Sequence, residues 1–239
     1  MSGTWLVLPT YNEADNVIPI VEASLSALEQ TGDEHHLLIV DDNSPDGTGR
    51  IADGIAGGDP RVEVLHRPGK QGLGRAYIGG FEHALARGAD RVMEMDSDFS
   101  HDPFDIPRLV HEARHGADLV LGSRYIPGGG VENWGLGRRI VSRGGCLYAQ
   151  MILRVPVRDL TGGFKCFNRR VLESIGIEQM HADGYGFQIE LTYRTLKAGF
   201  HVREVPIVFH ERRAGQSKMS TRIATEAVWK VPALKLRLP

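Results

Sequence analysis

Short apolar runs that alternate with longer segments of helical spacing constrain this chain more than any other feature. The runs fall at Trp5 to Leu8, Leu37 to Val40, Val62 to Leu65, Val92 to Met95 and Leu119 to Leu121. Each is too short for a stable helix, and most are rich in Val, Leu or Ile, the composition of strands buried on both faces. Between them, Ala14, Val17, Ile18, Val21, Leu25 and Leu28 recur at mostly three- and four-residue intervals, and Ala76, Phe81, Ala84 and Leu85 form a second stripe. That spacing places apolar side chains along one face of a helix. The alternation predicts an α/β fold, with a mostly parallel central sheet flanked by helices on both sides.

The sequence shows no internal repeat and no low-complexity linker, so one domain over residues 1–239 is the simplest organisation. A hydrophobic content of 41% and a charged content of 24% are those of an ordinary globular protein. The net charge of -2 argues against bulk binding to nucleic acid. Cys146 and Cys166 lack metal-type spacing and are too few for a disulfide framework, which makes the cytoplasm the default compartment. No leader precedes the first run, and no apolar stretch approaches the roughly 18 residues of a membrane span, so a soluble or peripheral protein is expected. Residues 220–239 mix Trp and Leu with Lys and Arg, which suits an interfacial segment or a packed C-terminus. Pro232 is expected to interrupt any helix there.

The fourth run leads into Asp96-Ser97-Asp98-Phe99-Ser100-His101-Asp102-Pro103. A strand there delivers paired carboxylates at its carboxyl end, where open α/β sheets bind ligands. Asp96, Asp98 and the Ser100 hydroxyl are hard oxygens suited to Mg²⁺ or Mn²⁺. The competing reading is a strand end turning into an Asp-capped helix. The second run ends in Asp41-Asp42, followed by Asn-Ser-Pro-Asp-Gly. One Asp could accept a hydrogen bond from a nucleobase while the other orients the loop, although Ser-Pro-Asp-Gly is also plain turn chemistry. After the first run stands Pro9-Thr10-Tyr11-Asn12-Glu13, where a nicotinamide dehydrogenase would carry G-x-G-x-x-G. Tyr11 stacks on a base or packs on the sheet edge; Glu13 holds a ribose hydroxyl or favours the following helix start.

Cations arrive at the same rim. Gly122-Ser123-Arg124 ends the fifth run, and Arg67 to Gly74 forms a Gly-rich turn that lets backbone approach a ligand. Gly128 to Gly130 should be mobile. Arg138, Arg139, Ser142 and Arg143 open a segment that stays apolar through Leu153, which suits a phosphate on an apolar tail or a solvated basic face. Asp159 to Lys165 and Gly184 to Glu190 carry no generic chemical signature, and Glu190 reads by default as a helical surface residue. His201 to Phe209 reads as a strand, at an edge because of Pro206. It leads into a basic loop through Arg212 and Lys218 able to close over phosphates.

Leu-Pro-Thr-Tyr-Asn-Glu, Val-Asp-Asp-Asn-Ser-Pro-Asp-Gly-Thr, Gly-Leu-Gly-Arg-Ala-Tyr, Met-Asp-Ser-Asp-Phe-Ser-His-Asp-Pro, Gly-Ser-Arg-Tyr, Asp-Leu-Thr-Gly-Gly-Phe and Gly-Gln-Ser-Lys follow one another between residues 7 and 218. On these motifs the chain resembles the family-2 inverting glycosyltransferases, and within them the polyprenyl- or dolichyl-phosphate mannosyltransferases. The resemblance implies a Rossmann-like, nucleotide-sugar-binding fold of the GT-A type and a Mg²⁺ or Mn²⁺ cofactor. It implies that Pro9, Tyr11, Glu13, Val40 and Asp42 line the guanosine of GDP-mannose. Asp96, Ser97 and Asp98 would meet the donor, with Asp98 and Ser100 on the cation. Arg124, Arg212 and Lys218 would hold phosphates, and Arg138, Arg139, Ser142 or Arg143 the phosphate of a polyprenyl monophosphate. Asp98 and Arg124 would carry the catalysis. Ser97 stands where the family commonly has Ala, and Ser100 where some members have Gln; both keep oxygens a metal can use. Contact with the cytoplasmic membrane face would be peripheral or supplied by an anchoring partner. Rival readings are a UDP-glucose-dependent polyprenyl-phosphate glucosyltransferase and a non-catalytic nucleotide-sugar-binding subunit.

Overall fold

The computed structural model describes residues 3–180, 184–211 and 221–238, the stretch 221–228 by its backbone alone. Strand β1 (Thr4–Thr10) lies beside β2 (His35–Asp41), β2 beside β3 (Val62–His66), and β4 (Arg91–Glu94) on the other side of β1, all parallel. Helices α1 (Val17–Glu29), α2 (Thr48–Gly58) and α3 (Leu73–Ala86) make the crossovers. Beyond β4 comes β7 (Lys165–Asn168), antiparallel to both β4 and β5 (Leu119–Ser123), and β8 (Val202–Pro206) closes the row parallel to β5. The seven-stranded order is therefore β3-β2-β1-β4-β7-β5-β8.

Strand alternation divides the apolar side chains between two cores. Trp5 and Val7 of β1, with Leu38 and Val40 of β2, pack against α3, α5 (Leu136–Leu153), α6 (Arg169–Ser174) and α7 (Tyr185–Lys197). Leu6 and Leu8, with Leu37 and Ile39, pack against α1, α2 and α4 (Ile106–Arg114). Both faces of the sheet are thus covered, as parallel sheets require. Helix α3 comes close enough to β1 that a Cβ on Gly80 would lie 2.4 Å from Val7 Cγ1, so a larger residue there would push the helix off the sheet.

Several expectations shift. The apolar face of α1 uses Ile20, which is fully buried, while Ile18 is 45% exposed. The predicted strand 201–209 lies at the sheet edge but divides into β8 and a two-residue β9 (Val208–Phe209). The division falls at Ile207, whose N–H donates to Ser123 O at 3.0 Å. Strand β9 pairs with β6 (Gly130–Val131), so Gly130 sits in a small second sheet instead of a mobile loop. Pro232 does not end the last helix: α8 runs over Thr221–Arg237. Its neighbours hold it, since Val231 is buried, Lys235 Nζ donates to Ile152 O and Tyr193 Oη donates to Leu238 O. Tertiary packing of this kind outweighs the hydrogen bond that proline removes. Among the described residues no helix is long and apolar enough to cross a membrane.

Candidate active site

A cleft opens above the carboxyl ends of β1, β2 and β4, at the point where the crossovers change direction. Pro9, Tyr11, Glu13, Asp42, Asp96, Ser97, Asp98, Arg124 and Arg138 all line it. Residues far apart in sequence are thereby brought to one place, because strands converge at a shared rim.

The two carboxylates after β2 divide their duties. Asp41 is buried and accepts from the Ser44 N–H at 3.2 Å and the Ser44 hydroxyl at 2.5 Å, so it shapes the loop. Asp42 faces the cleft and pairs with Arg67, while Lys70 stacks over the Tyr11 ring at 4.0 Å. Burial raises the Asp42 carboxyl above its usual range against the pull of Arg67. Glu13 Oε2 accepts from Asn16 Nδ2 at 2.7 Å, and its backbone N–H donates to Thr48 Oγ1 at 2.9 Å. Val40 is fully buried in the core and does not line the cleft.

Strand β4 ends at Glu94, so Asp96 and Asp98 stand on the turn just past it rather than on the strand. The Ser97 hydroxyl donates to Pro9 O at 3.0 Å and ties this turn to β1. Tyr77 Oη donates to Asp96 Oδ1 at 3.3 Å; burial raises the Tyr77 phenol, which keeps it a donor. Asp98 Oδ1 accepts from both the N–H and the hydroxyl of Ser100, at 3.0 and 2.5 Å. Ser100 is itself buried and lies outside the cleft lining, so it orients Asp98 from behind. Asp96 and Asp98 both line the cleft and offer the hard carboxylate oxygens a divalent cation takes; no group of three or more His, Cys, Asp or Glu converges among the described residues. A cation held so would keep positions for water and phosphate oxygens, as Mg²⁺ and Mn²⁺ do.

Cations sit opposite. Arg124 follows β5, and its Nε and Nη2 hold buried Asp159 at 2.7 and 2.6 Å, with Nη2 also donating to Thr161 Oγ1 at 2.8 Å. Burial works against the Asp159 charge, but Arg124 offsets it and leaves the carboxyl below its usual range. Arg138, in the first turn of α5, lines the cleft and stacks over Trp134 at 3.9 Å. The four acceptor candidates separate here. Ser142 is buried and accepts from Tyr125 Oη at 2.6 Å. Arg139 and Arg143 are exposed and outside the lining, with Arg139 Nη2 donating to Val131 O at 3.1 Å. Arg212 and Lys218 lie outside the described residues.

Sequence reasoning missed several cleft residues. His101 lines the cleft between the rings of Phe164 and Phe209, and burial lowers its pKa to about 4. Thr161, Gly163 and Gln188 also line it. They come from the two stretches without a generic signature, in which the Gly162-Gly163 pair is the signal that could have marked a close approach. Glu190 is buried, not on the surface, and pairs with Arg194 at 2.8 Å.

The sequence profile of Glycosyl transferase family 2 matches residues 5–176. A polyprenol monophosphomannose synthase of Mycolicibacterium smegmatis is 46% identical over 98% of this chain and 87% of its own. An undecaprenyl-phosphate mannosyltransferase of Micrococcus luteus is also 46% identical, over 93% of this chain and 89% of its own. The fold matches that of a Mycobacterium tuberculosis glucosyl-3-phosphoglycerate synthase with a TM-score of 0.68 at 22% identity, covering 99% of this chain and 80% of that one. It also matches a mannosyltransferase of Pyrobaculum calidifontis solved with GDP-Man and Mn²⁺, with a TM-score of 0.63 at 17% identity, over 99% and 65% of the two chains.

Proposed function

The chain belongs to glycosyltransferase family 2, and from that premise we propose that it transfers mannose from GDP-mannose to a polyprenyl monophosphate. The products are a β-mannosyl phosphoryl polyprenol and GDP. The observation that carries the reading is the meeting of Asp42, Asp96 and Asp98 with Arg124 and Arg138 around one cleft. Carboxylates at the switch point suit a nucleotide and its cation, while the arginines suit a second anion. The two relatives at 46% identity bear names that specify mannose and a polyprenyl or undecaprenyl acceptor, which supports the same pairing.

The acceptor's phosphate loses its second proton near pH 6, so at neutral pH its attacking oxygen already carries charge and needs no general base. That oxygen forms the new bond to the anomeric carbon from the face opposite the nucleotide. The bond from that carbon to the diphosphate breaks, its electron pair leaving with GDP, and the sugar centre inverts. Mg²⁺ or Mn²⁺ held by Asp96 and Asp98 would supply positive charge to the diphosphate. Arg138 on α5 holds the acceptor phosphate, with Arg124 behind it just past the end of β5.

Helix α5 leads away from the cleft with Leu136, Ile140, Leu147 and Met151 on one outward stripe, 53–74% exposed, and exposed Arg143 among them. Helix α8, packed beside α5, exposes Trp229 and Leu236. A lipid-tailed acceptor lies in a bilayer, and this apolar, basic-edged face is the surface through which the protein reaches it. The deciding test incubates the purified chain with labelled GDP-mannose, polyprenyl phosphate and Mg²⁺ or Mn²⁺. Label is expected in an organic-extractable lipid; label transferred only from UDP-glucose, or none at all, would overturn the assignment.

A further inference from the structure

Beneath the cleft lies a polar cluster to which the proposed reaction assigns no role. Glu94 and Lys165 are register partners across β4 and β7, and neither has any exposure. Lys165 Nζ donates to Glu94 Oε1 at 2.8 Å and also to Gln188 Oε1 on α7. An ammonium group has donors and no acceptor, so only the oxygen of the Gln188 amide can face it. That fixes the amide's orientation, with Oε1 toward Lys165 and Nε2 as its remaining donor. Gln188 is 3% exposed and lines the cleft, and its Nε2 makes no hydrogen bond among the described residues. Burial raises the Glu94 carboxyl above its usual range, against the pull of Lys165 and of the Gln188 amide.

Gly163 stands next to this N–H. A Cβ on Gly163 would lie 3.4 Å from Gln188 Nε2 and 3.9 and 4.0 Å from the two carboxylate oxygens of Asp96. The space left by the missing side chain is therefore bounded by a donor on one side and an anionic acceptor on the other. A hydroxyl group fits both, because it accepts from the amide while donating to the carboxylate. A phosphate oxygen fits only the first and would meet the Asp96 charge. The arrangement selects a sugar hydroxyl over a phosphate.

Resting on the function proposed above, we infer that Gln188 and Asp96 together bind a hydroxyl of the transferred hexose, with Gly163 holding the space open. Gln188 is then a sugar-selecting residue, contributing to the affinity for GDP-mannose and nothing to that for GDP. Calorimetric titration of the wild type, Gln188→Leu and Gly163→Ala with GDP and with GDP-mannose, each with Mg²⁺, tests this. The Gly163→Ala methyl meets its neighbours at ordinary contact distance, so that variant keeps the fold even if Gln188→Leu, which bares Lys165, does not. Both variants are expected to bind GDP as the wild type does and GDP-mannose about tenfold more weakly, the loss of roughly one hydrogen bond. Unchanged GDP-mannose affinity in Gly163→Ala, or equal losses for GDP and GDP-mannose, would overturn the inference alone. A wild type that binds neither ligand would overturn the proposed function together with it.

Discussion

Arg124 commits three of the five N–H groups of its side chain to Asp159 and Thr161, so only Nη1 is left to face the cleft. Its charge is balanced and its direction fixed, which makes it a rigid backstop more than a free phosphate anchor. Removing Asp159 would leave that guanidinium buried and unopposed. Asp159→Ala is expected to lower stability by about 3–5 kcal/mol, measured by urea denaturation. Because the folded carboxyl titrates below its usual range, the unfolded chain takes up the proton first as pH falls. The stabilisation from Asp159 is whole above the usual carboxylate value and is lost as pH drops through the lower folded one. Asp159→Asn should flatten that acid limb of the stability curve. Asp98→Ala should abolish transfer while the circular dichroism spectrum stays native; turnover near the wild-type rate would remove Asp98 from the chemistry. For the acceptor, Arg138→Ala should raise the apparent KM for lipid far more than that for GDP-mannose, and Arg139→Ala should change neither by more than about twofold. The sequence grouped these two arginines with Ser142 and Arg143, and only helix geometry separates the one facing the cleft from those facing out.

Among the elements, β1, β2, β3, β4 and β5 were legible because each holds a short, mostly apolar run between helices of clear period. Strand β7 was not, since Lys165-Cys-Phe-Asn is short and begins with a lysine that is buried only because Glu94 and Gln188 receive it. Helix α8 was misjudged at Pro232 for a related reason: the contacts that hold it come from α5 and α7, far away in sequence. Helix α5 was legible as an apolar segment with a basic start. Its second, outward stripe could be recognised only once Ser142, Cys146, Ala149 and Leu153 were seen to take the inner face. Leu147→Glu combined with Met151→Glu should leave the melting temperature within a degree or two, because both side chains are exposed. The same pair should sharply reduce sedimentation with anionic vesicles, and unchanged sedimentation would move the membrane face elsewhere.

At the scale of the molecule, the acidic rim of the cleft was largely readable and the floor was not. Asp42, Asp96 and Asp98 announce themselves by following apolar runs, whereas Gly163 and Gln188 acquire meaning only from the loop before β7 and the helix α7 that bring them beside Asp96. The sheet consists of two parallel blocks, β3-β2-β1-β4 and β5-β8, joined only by β7. Both β4 and β5 precede β7 by many tens of residues in the chain, so each presents an unpaired edge until Lys165–Asn168 has been synthesised and inserted. Assembly must therefore close at the middle of the sheet, over long sequence separations that slow folding. A nascent or truncated chain ending before residue 165 would leave one edge of β4 and both edges of β5 open and aggregate, although every residue of the acidic rim is already present in it.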